Sequence, residues 1–302
     1  MSQVAANQSV MAVDQSAGVE QIVQSAIAEI THIATLPEIT LKVIQLVEDP
    51  DSTAQDLNNL ISNDPALGSR ILKVVNSSFY GLSGQIGSIN RAIVLLGLNA
   101  LKNVAIAASL AKLFRGGEMC PSFNARDLWS HSIAVASATQ MLAQKVELGL
   151  PDEAFLAGLM HDLGIMVEMQ ARPTQFVKVV EKVTADATFS FRQAEIDVLG
   201  ASHEDFGAAL FRTWKFPVRF ASVAGFHHRP LDGPEDNWRL TTLVHIGDIL
   251  AARLELGYTR TVDADQIDPT ILGELNLNEV AIAEISEALP QAAEEAAALM
   301  KI

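Results

Sequence analysis

A histidine and an aspartate, His161 and Asp162, lie side by side in the apolar stretch AFLAGLMHDLGIMVE, residues 154–168. The stretch has helical character, which predicts that both side chains enter a protein core. An ionised carboxylate costs several kcal/mol to bury unless it is paired, hydrogen-bonded or bound to a cation. The chain must therefore fold so that partners from elsewhere in the sequence reach Asp162.

Candidate partners lie on other apolar, helix-like segments. They are His131 in DLWSHSIAVASA, His203 in ASHEDFGAALFRTW, His227 and His228 in VAGFHHRP, and Asp248 in LVHIGDILAA. Neutral imidazoles together with carboxylates suit a borderline divalent ion such as Fe, Mn, Ni, Co or Zn. We therefore predict a divalent metal cofactor, and Asp162 beside His161 could bridge two such ions.

The order of these residues, His, His-Asp, His, His-His and Asp, resembles the metal-binding pattern of the HD superfamily of phosphohydrolases, which includes the HD-GYP cyclic-dinucleotide phosphodiesterases. Residues 36–81, LPEITLKVIQLVEDPDSTAQDLNNLISNDPALGSRILKVVNSSFYG, and residues 88–104, SINRAIVLLGLNALKNV, resemble the leading half of the HDOD family, the output-domain relatives of HD hydrolases. Together the matches run from about Leu36 to Leu256.

The resemblance implies an all-α protein of bacterial signalling, in a family generally without established catalytic activity. By position in the motif, it implies that one metal site is formed by His131, His161, Asp162 and Asp248, and that a second metal is held by His203, His227 and His228.

Each candidate also has a structural interpretation. A buried histidine often satisfies only a hydrogen bond, and Asp248 could be one half of such a pair. His203 could cap a helix or support another ligand, and one residue of the His227–His228 pair could face solvent. Three further residues carry weaker signals. Asp127, one turn before His131, fits an extra ligand or a solvated helix-start acid, His245 fits a packing or supporting residue, and His32 has no motif around it.

Two departures from the HD-GYP pattern disfavour cyclic di-GMP hydrolysis. The HD-GYP phosphodiesterases carry a lysine where this chain has Ile165, so a basic phosphate contact is missing. The stretch HHRPLDGPEDNW keeps the two histidines and an Asp-Gly pair but lacks the Gly-Tyr-Pro that names that family. Ligand binding without the reaction is the interpretation that these departures favour.

The composition excludes several other classes of protein. About half of the 302 residues are apolar, which is enough to bury a large core, and the net charge of −15 argues against direct binding to nucleic acid. The single cysteine, Cys120, cannot form an intrachain disulfide, and the first residues lack the pattern of a secretory signal. The most apolar stretch, residues 92–114, contains Asn99, Lys102 and Asn103, so no membrane span is expected and we predict a cytoplasmic protein.

The periodicity predicts an all-α fold without a sheet: a flexible tail at 1–18 and an HDOD domain at 19–302, with an N-terminal lobe at about 19–118 and a larger HD-like lobe at about 119–302. Helix starts are expected after Thr53, Asp64 and Ser88, whose side chains can cap a helix. One continuous helix is predicted over residues 154–171, and Pro290 is expected to limit the last helix.

Three functions fit this pattern. The leading hypothesis is a signalling module that acts through ligand or protein contacts with little or no catalysis, with signalling proteins as partners and a nucleotide or phosphate as a candidate ligand. The alternative is a metal-dependent phosphohydrolase or phosphodiesterase. A third possibility is an adaptor without metal.

Overall fold

The computed structural model describes residues 17–30, 38–49, 51–76, 84–114, 118–186, 188–262 and 264–299. The tail predicted at 1–18 falls almost wholly outside these ranges, as does His32. Within the described ranges nearly all regular structure is helical, so the all-α prediction is confirmed. The division into two lobes stays a prediction.

The first half of the chain forms short helices. Residues 17–29 are helical and are called α1; the helices that follow are α2 (Glu38–Glu48), α3 (Ala54–Ser62), α4 (Pro65–Val75), α5 (Ile89–Leu96) and α6 (Leu98–Leu110). The predicted caps are confirmed, because the side chains of Thr53, Asp64 and Ser88 each accept a hydrogen bond from a backbone N–H in the first turn of α3, α4 and α5. Helix α1 contacts the second half of the chain, since Glu29 forms an ion pair with Arg172.

The second half contains a short hairpin and longer helices. They are β1 (Glu118–Cys120), β2 (Phe123–Asn124), α7 (Ala125–Lys145), α8 (Pro151–Met160), α9 (Leu163–Ala171), α10 (Pro173–Ala185), α11 (Phe191–Leu199), α12 (His203–Thr213), α13 (Val218–Phe226), α14 (Trp238–Arg253), α15 (Pro269–Glu274) and α16 (Glu279–Leu299). The antiparallel pair of β1 and β2 corrects the expectation of no sheet. It is too short to produce a hydrophobic period in the sequence.

Two predicted helix boundaries were wrong. The helix expected over 154–171 is interrupted at His161 and Asp162, so that α8 and α9 are separate helices. Pro290 lies inside α16 and does not end it. Leu289, Ala293 and Ala296 are buried around the proline, and α16 packs on α7, so tertiary packing outweighs the missing backbone N–H.

Helix α7 is central to the second half, because α8, α14 and α16 all pack on it. Helix α8 comes unusually close at Gly158, where an added Cβ would lie 2.8 Å from the Cα of Ala136. This close approach positions the end of α8, and with it His161, against α7. Among the described residues, no helix is both long enough and apolar enough to cross a membrane.

Candidate metal centre

The interruption between α8 and α9 determines how the His161–Asp162 pair is presented. Consecutive residues on one continuous helix point about 100° apart, which separates their functional groups. Here Asp162 leaves helical geometry, with φ −95° and ψ 14°. As a result the Nε2 atom of His161 lies 3.4 Å from the Oδ2 atom of Asp162, and both side chains are buried.

The structure brings together all seven residues singled out in the sequence. His131 comes from α7, His161 and Asp162 from the α8–α9 turn, His203 from the first turn of α12, His227 and His228 from the end of α13, and Asp248 from α14. Six of these side chains are essentially inaccessible, and the side chain of His228 is 5% exposed. Their roles as metal ligands stay predictions.

The first group of side chains surrounds the Oδ1 atom of Asp162. The Nε2 atoms of His227 and His203 lie 3.4 Å and 3.6 Å from it. The Nε2 atom of His203 lies 3.3 Å from that of His227 and 2.9 Å from that of His228. Two atoms bound to one ion by bonds of about 2.1 Å lie about 3.0–3.4 Å apart, depending on the coordination angle, so these separations suit a shared cation.

The second group faces the other oxygen of Asp162 and includes Asp248. The Nε2 atom of His131 lies 2.9 Å from the Oδ1 atom of Asp248, and that of His161 lies 3.6 Å from the same atom. Since the Oδ2 atom of Asp162 approaches His161 while Oδ1 approaches His203 and His227, this carboxylate lies between the two groups. Such a position is suited to bridging two ions.

Hydrogen bonds on the outer ring nitrogens orient most of the imidazoles. The Nδ1–H of His131 donates to the backbone carbonyl of Leu256, and that of His161 donates to the carbonyl of Gly158. The Nδ1–H of His227 lies between the carbonyls of Val223 and Ala224 and donates to both. The Nδ1–H of His203 donates instead to the carboxylate of Glu195 at 2.8 Å. A histidine whose Nδ1 carries the proton offers the Nε2 lone pair, so these four rings present ligating nitrogens to the centre.

The electrostatics of the centre demand positive charge. Burial by itself raises the pKa of Asp162, but the adjacent His161 holds that pKa well below its usual range. Burial by itself lowers the pKa of His161, but Asp162 and Asp248 raise it to about 10. Neither oxygen of Asp162 has a hydrogen-bond partner among the described residues. A protonated imidazole or a divalent cation can supply the charge that the two carboxylates require.

His228 differs from His161 in its charge preference. Burial, reinforced by the neighbouring His227 and His203, lowers the pKa of His228 well below its ordinary value. This ring therefore stays neutral over the physiological pH range and keeps a lone pair available. A neutral imidazole is the form that binds metal.

Asp127, His245 and Ile165 are not among the seven converging residues. The side chain of Asp127 is exposed, and its backbone carbonyl accepts a hydrogen bond from the N–H of Tyr258. His245 donates from Nδ1 to the carbonyl of His227 at 2.7 Å, which fits its supporting interpretation. Ile165 is completely buried in the core. A lysine at that position would have to bury its ammonium group.

Sequence reasoning missed three buried acids beside the centre. Glu195 accepts from His203, and Glu204 accepts from the backbone N–H of His228 at 3.3 Å. Burial raises the pKa of Glu204, but His227, His203 and Arg229 lower it to below its ordinary value. The third acid, Glu168, is the last residue of the apolar stretch that contains Asp162. An acid in an apolar run predicts a buried carboxyl, so this signal was present in the sequence for Glu168 as well. Glu195 has no such signal.

The comparisons with known proteins agree with this arrangement. A family model described as the HDOD domain matches residues 33–230. The chain belongs to the HDOD family. The matched range includes six of the seven converging residues of this HDOD chain and ends before Asp248.

Solved structures share the HDOD fold. An HDOD domain protein of unknown function from Geobacter sulfurreducens is 24% identical, with a TM-score of 0.80 over 94% of this chain and 100% of that one. A proposed phosphohydrolase from Shewanella amazonensis is 23% identical, with a TM-score of 0.71 over 92% and 98%. A proposed signal transduction protein from Marinobacter aquaeolei is 22% identical, with a TM-score of 0.74 over 95% and 66%.

One curated relative is an uncharacterized protein of Treponema pallidum, which is 26% identical over 208 residues. The alignment covers 68% of this chain and 40% of the relative, so the HDOD chain spans less than half of that relative's length.

Proposed function

We propose that this HDOD chain is a signalling module that binds one or two divalent metal ions and transmits its state through ligand or protein contacts, with little or no catalysis. The observation that carries the proposal is the buried convergence of five histidines and two aspartates, with both oxygens of Asp162 lacking a hydrogen-bond partner among the described residues. A buried carboxylate in that condition is stabilised by a cation.

The residues that would hold the metal follow from the two groups. Asp162 would contribute to both positions, His203, His227 and His228 to one, and His131, His161 and Asp248 to the other. Five imidazoles and two carboxylates match iron, manganese, cobalt, nickel or zinc better than magnesium or calcium, which prefer all-oxygen sites. A bound ion would supply electrostatic attraction for an anionic ligand, and we propose a phosphate or a nucleotide.

The signalling role has two supports. The chain belongs to the HDOD family, and a protein with the same fold from Marinobacter aquaeolei is a proposed signal transduction protein. Low catalysis is supported by Ile165, which leaves a buried aliphatic group where the HD-GYP phosphodiesterases carry a lysine. Each 1.36 kcal/mol of lost charge stabilisation in a transition state reduces the rate about tenfold.

Metal analysis tests the proposal. Protein purified without a chelator or an affinity nickel column should contain a divalent metal, and Asp162→Ala should lose most of it. Asp236→Ala is the matched control, because Asp236 is an exposed aspartate that is not among the seven converging residues. Wild-type protein that takes up no divalent metal, even when ions are added, would instead support the metal-free adaptor.

The second candidate, a metal-dependent phosphohydrolase, is favoured by the complete set of ligand-type residues. A bound ion lowers the pKa of coordinated water toward about 7 and neutralises phosphate oxygens, so the set is compatible with hydrolysis. A generic bis-phosphodiester assayed with the metal-loaded protein separates the two candidates. Vigorous turnover that disappears in Asp162→Ala would replace the signalling proposal with this one.

A further inference from the structure

Two arginines share one buried carboxylate beside the candidate metal centre. The Oε2 atom of Glu204, on α12, accepts from the Nε–H of Arg192 on α11 at 2.8 Å and from the Nε–H of Arg229, just after α13, at 3.1 Å. The Glu204 side chain is completely buried, whereas those of Arg192 and Arg229 are 28% and 35% exposed. Two positive charges thus surround a single negative charge, which leaves a local excess of positive charge in a chain whose net charge is −15.

The contact with Glu204 leaves most donors of the two guanidinium groups free for a ligand. Each guanidinium has five N–H donors in a planar fork. The terminal nitrogens of Arg192 have no hydrogen-bond partner among the described residues. Nη2 of Arg229 makes a long hydrogen bond of 3.4 Å to the carbonyl of Gly225, and Nη1 lies 3.7 Å from Asp232, whose side chain is 65% exposed. Solvent screens an exposed pair of this kind, so it does not neutralise Arg229.

The two arginines lie beside the part of the centre that is nearest to solvent. Among the seven converging side chains, that of His228 has the largest exposed fraction, 5%, and the other six are at most 1% exposed. The Oε1 atom of Glu204 accepts from the backbone N–H of His228 at 3.3 Å, so one carboxylate contacts both the centre and the arginines. A ligand that approached the centre at His228 would therefore meet Arg192 and Arg229.

A phosphate group is the anion that fits this arrangement best. The guanidinium fork binds two phosphate oxygens through parallel N–H···O bonds. A phosphate group can accept from two arginines at once and still present an oxygen atom to a neighbouring metal ion. The two oxygens of a carboxylate are too few for all three contacts. The arrangement therefore favours a phosphate over a carboxylate ligand.

We propose that Arg192 and Arg229 form a phosphate-binding subsite at the entrance of the candidate metal centre, with Glu204 holding both guanidinium groups in place. The inference rests on the proposed function where it concerns the metal ion, and it names the residues that would recognise the ligand. The binding of a phosphate group by two arginines does not itself require an ion.

Single substitutions of the two arginines test the subsite. In Arg192→Gln or Arg229→Gln the remaining arginine still pairs with Glu204, so both variants should fold. We expect each to weaken the binding of inorganic phosphate to Zn²⁺-loaded protein at least about tenfold, the usual effect of losing a hydrogen bond to a charged group. Isothermal titration measures the affinity. Arg91→Gln is the matched control, because Arg91 is an exposed arginine on α5, and it should bind phosphate like the wild type.

Two lysine variants give the decision if a glutamine variant does not fold. Lysine keeps the charge but binds phosphate as a point charge without the fork, so Arg192→Lys and Arg229→Lys should bind phosphate more weakly than the wild type and more tightly than a folded glutamine variant. Arginine variants that all bind phosphate as tightly as the wild type would overturn the inference.

The same titration with metal-free protein separates this inference from the proposed function. Phosphate should still bind, more weakly, and both glutamine substitutions should reduce that binding further. Wild-type protein that takes up no Zn²⁺ would overturn the proposed function, while the titration of metal-free protein would still decide the subsite. Wild-type protein that binds no phosphate in either form would overturn the inference.

Inorganic phosphate and adenosine monophosphate distinguish two sources of the phosphate group. Equal affinities would identify phosphate itself as the ligand, and tighter binding of the nucleotide would identify a nucleotide. In both cases Arg192→Gln and Arg229→Gln should lose a similar factor in affinity for either compound, because the subsite contacts only the phosphate group. Nucleotide binding that is unaffected by both substitutions would contradict the assignment of the subsite.

Discussion

Replacement of Gly164 by alanine should disrupt the candidate metal centre through the backbone. An added Cβ at Gly164 would lie 1.9 Å from the carbonyl oxygen of His203 and 2.8 Å from the backbone nitrogen of Gly207. The ordinary distance between non-bonded heavy atoms is about 3.5 Å, so α9 and α12 would have to separate by roughly 1.5 Å. Metal–nitrogen bonds of about 2.0–2.1 Å do not survive a displacement of that size.

The energetic cost of Gly164→Ala can be bounded. Overpacking of a core costs about 1–3 kcal/mol, and the upper end applies because a backbone carbonyl has no alternative rotamer. Alanine regains about 1 kcal/mol of helix propensity over glycine, so the net loss of unfolding free energy is about 2 kcal/mol. An unfolding entropy of about 2.1 cal/mol/K per residue over 302 residues turns this loss into a decrease in Tm of about 3 °C.

Calorimetry with and without Zn²⁺ measures both consequences. The affinity for Zn²⁺ should fall at least about tenfold, because His203 moves away from Asp162 and its two histidine neighbours. Gly68→Ala is the matched control: it also lies inside a helix, but its added Cβ would make an ordinary contact of 3.4 Å with a methyl group of Ile61. The control should be neutral or stabilising. A Gly164→Ala protein with the stability and Zn²⁺ affinity of the wild type would refute the argument from helix proximity.

Three further substitutions test other parts of the structure. Ile165→Lys should destabilise the protein by about 3 kcal/mol or more in urea unfolding, because the ammonium group would be buried. The control Ile165→Met should cost less than about 1.5 kcal/mol. A lysine tolerated without loss of stability would mean that water reaches this position. Glu204→Gln should cost about 2 kcal/mol at pH 7 by removing the charge that Arg192 and Arg229 share. Because the pKa of Glu204 is lowered in the folded state, the stabilisation by its charge is present above the ordinary pKa and is lost as the pH falls through the folded value. The unfolding free energies of wild type and variant should therefore converge in acid. A constant difference between them from pH 7 to pH 3 would contradict this. Arg172→Ala, which removes the partly exposed ion pair with Glu29, should leave the urea unfolding midpoint nearly unchanged, because solvent screens such a pair. A clear loss of stability in the same unfolding assay would show that α1 depends on that pair.

Local signals determined much of the helical architecture. The caps at Thr53, Asp64 and Ser88 were predictable because a cap is formed by residues within one turn of each other. The helix over Pro173–Ala185 also has local causes, since it begins at a proline and its apolar residues have helical spacing. The hairpin of β1 and β2 was missed because five strand residues are too few to show a period.

The candidate ligands were identified by the order of residue types along the sequence, with His161 and Asp162 as the first indication. An acid in an apolar run must be compensated, and this requirement is visible without a structure. The sequence also showed the departure at Ile165. It did not show that the side chain of Asp127 is exposed while that of Asp248 turns toward His131 and His161.

The tertiary structure alone decided how the centre is supported. The break between α8 and α9 and the continuation of α16 through Pro290 depend on elements that are distant in sequence. The sequence determines which groups need compensation, because burial and charge follow from local composition. Helix packing decides which partner groups compensate the buried charges, because it brings together residues that are far apart along the chain. His131 on α7 and Asp248 on α14, for example, are more than one hundred residues apart in sequence.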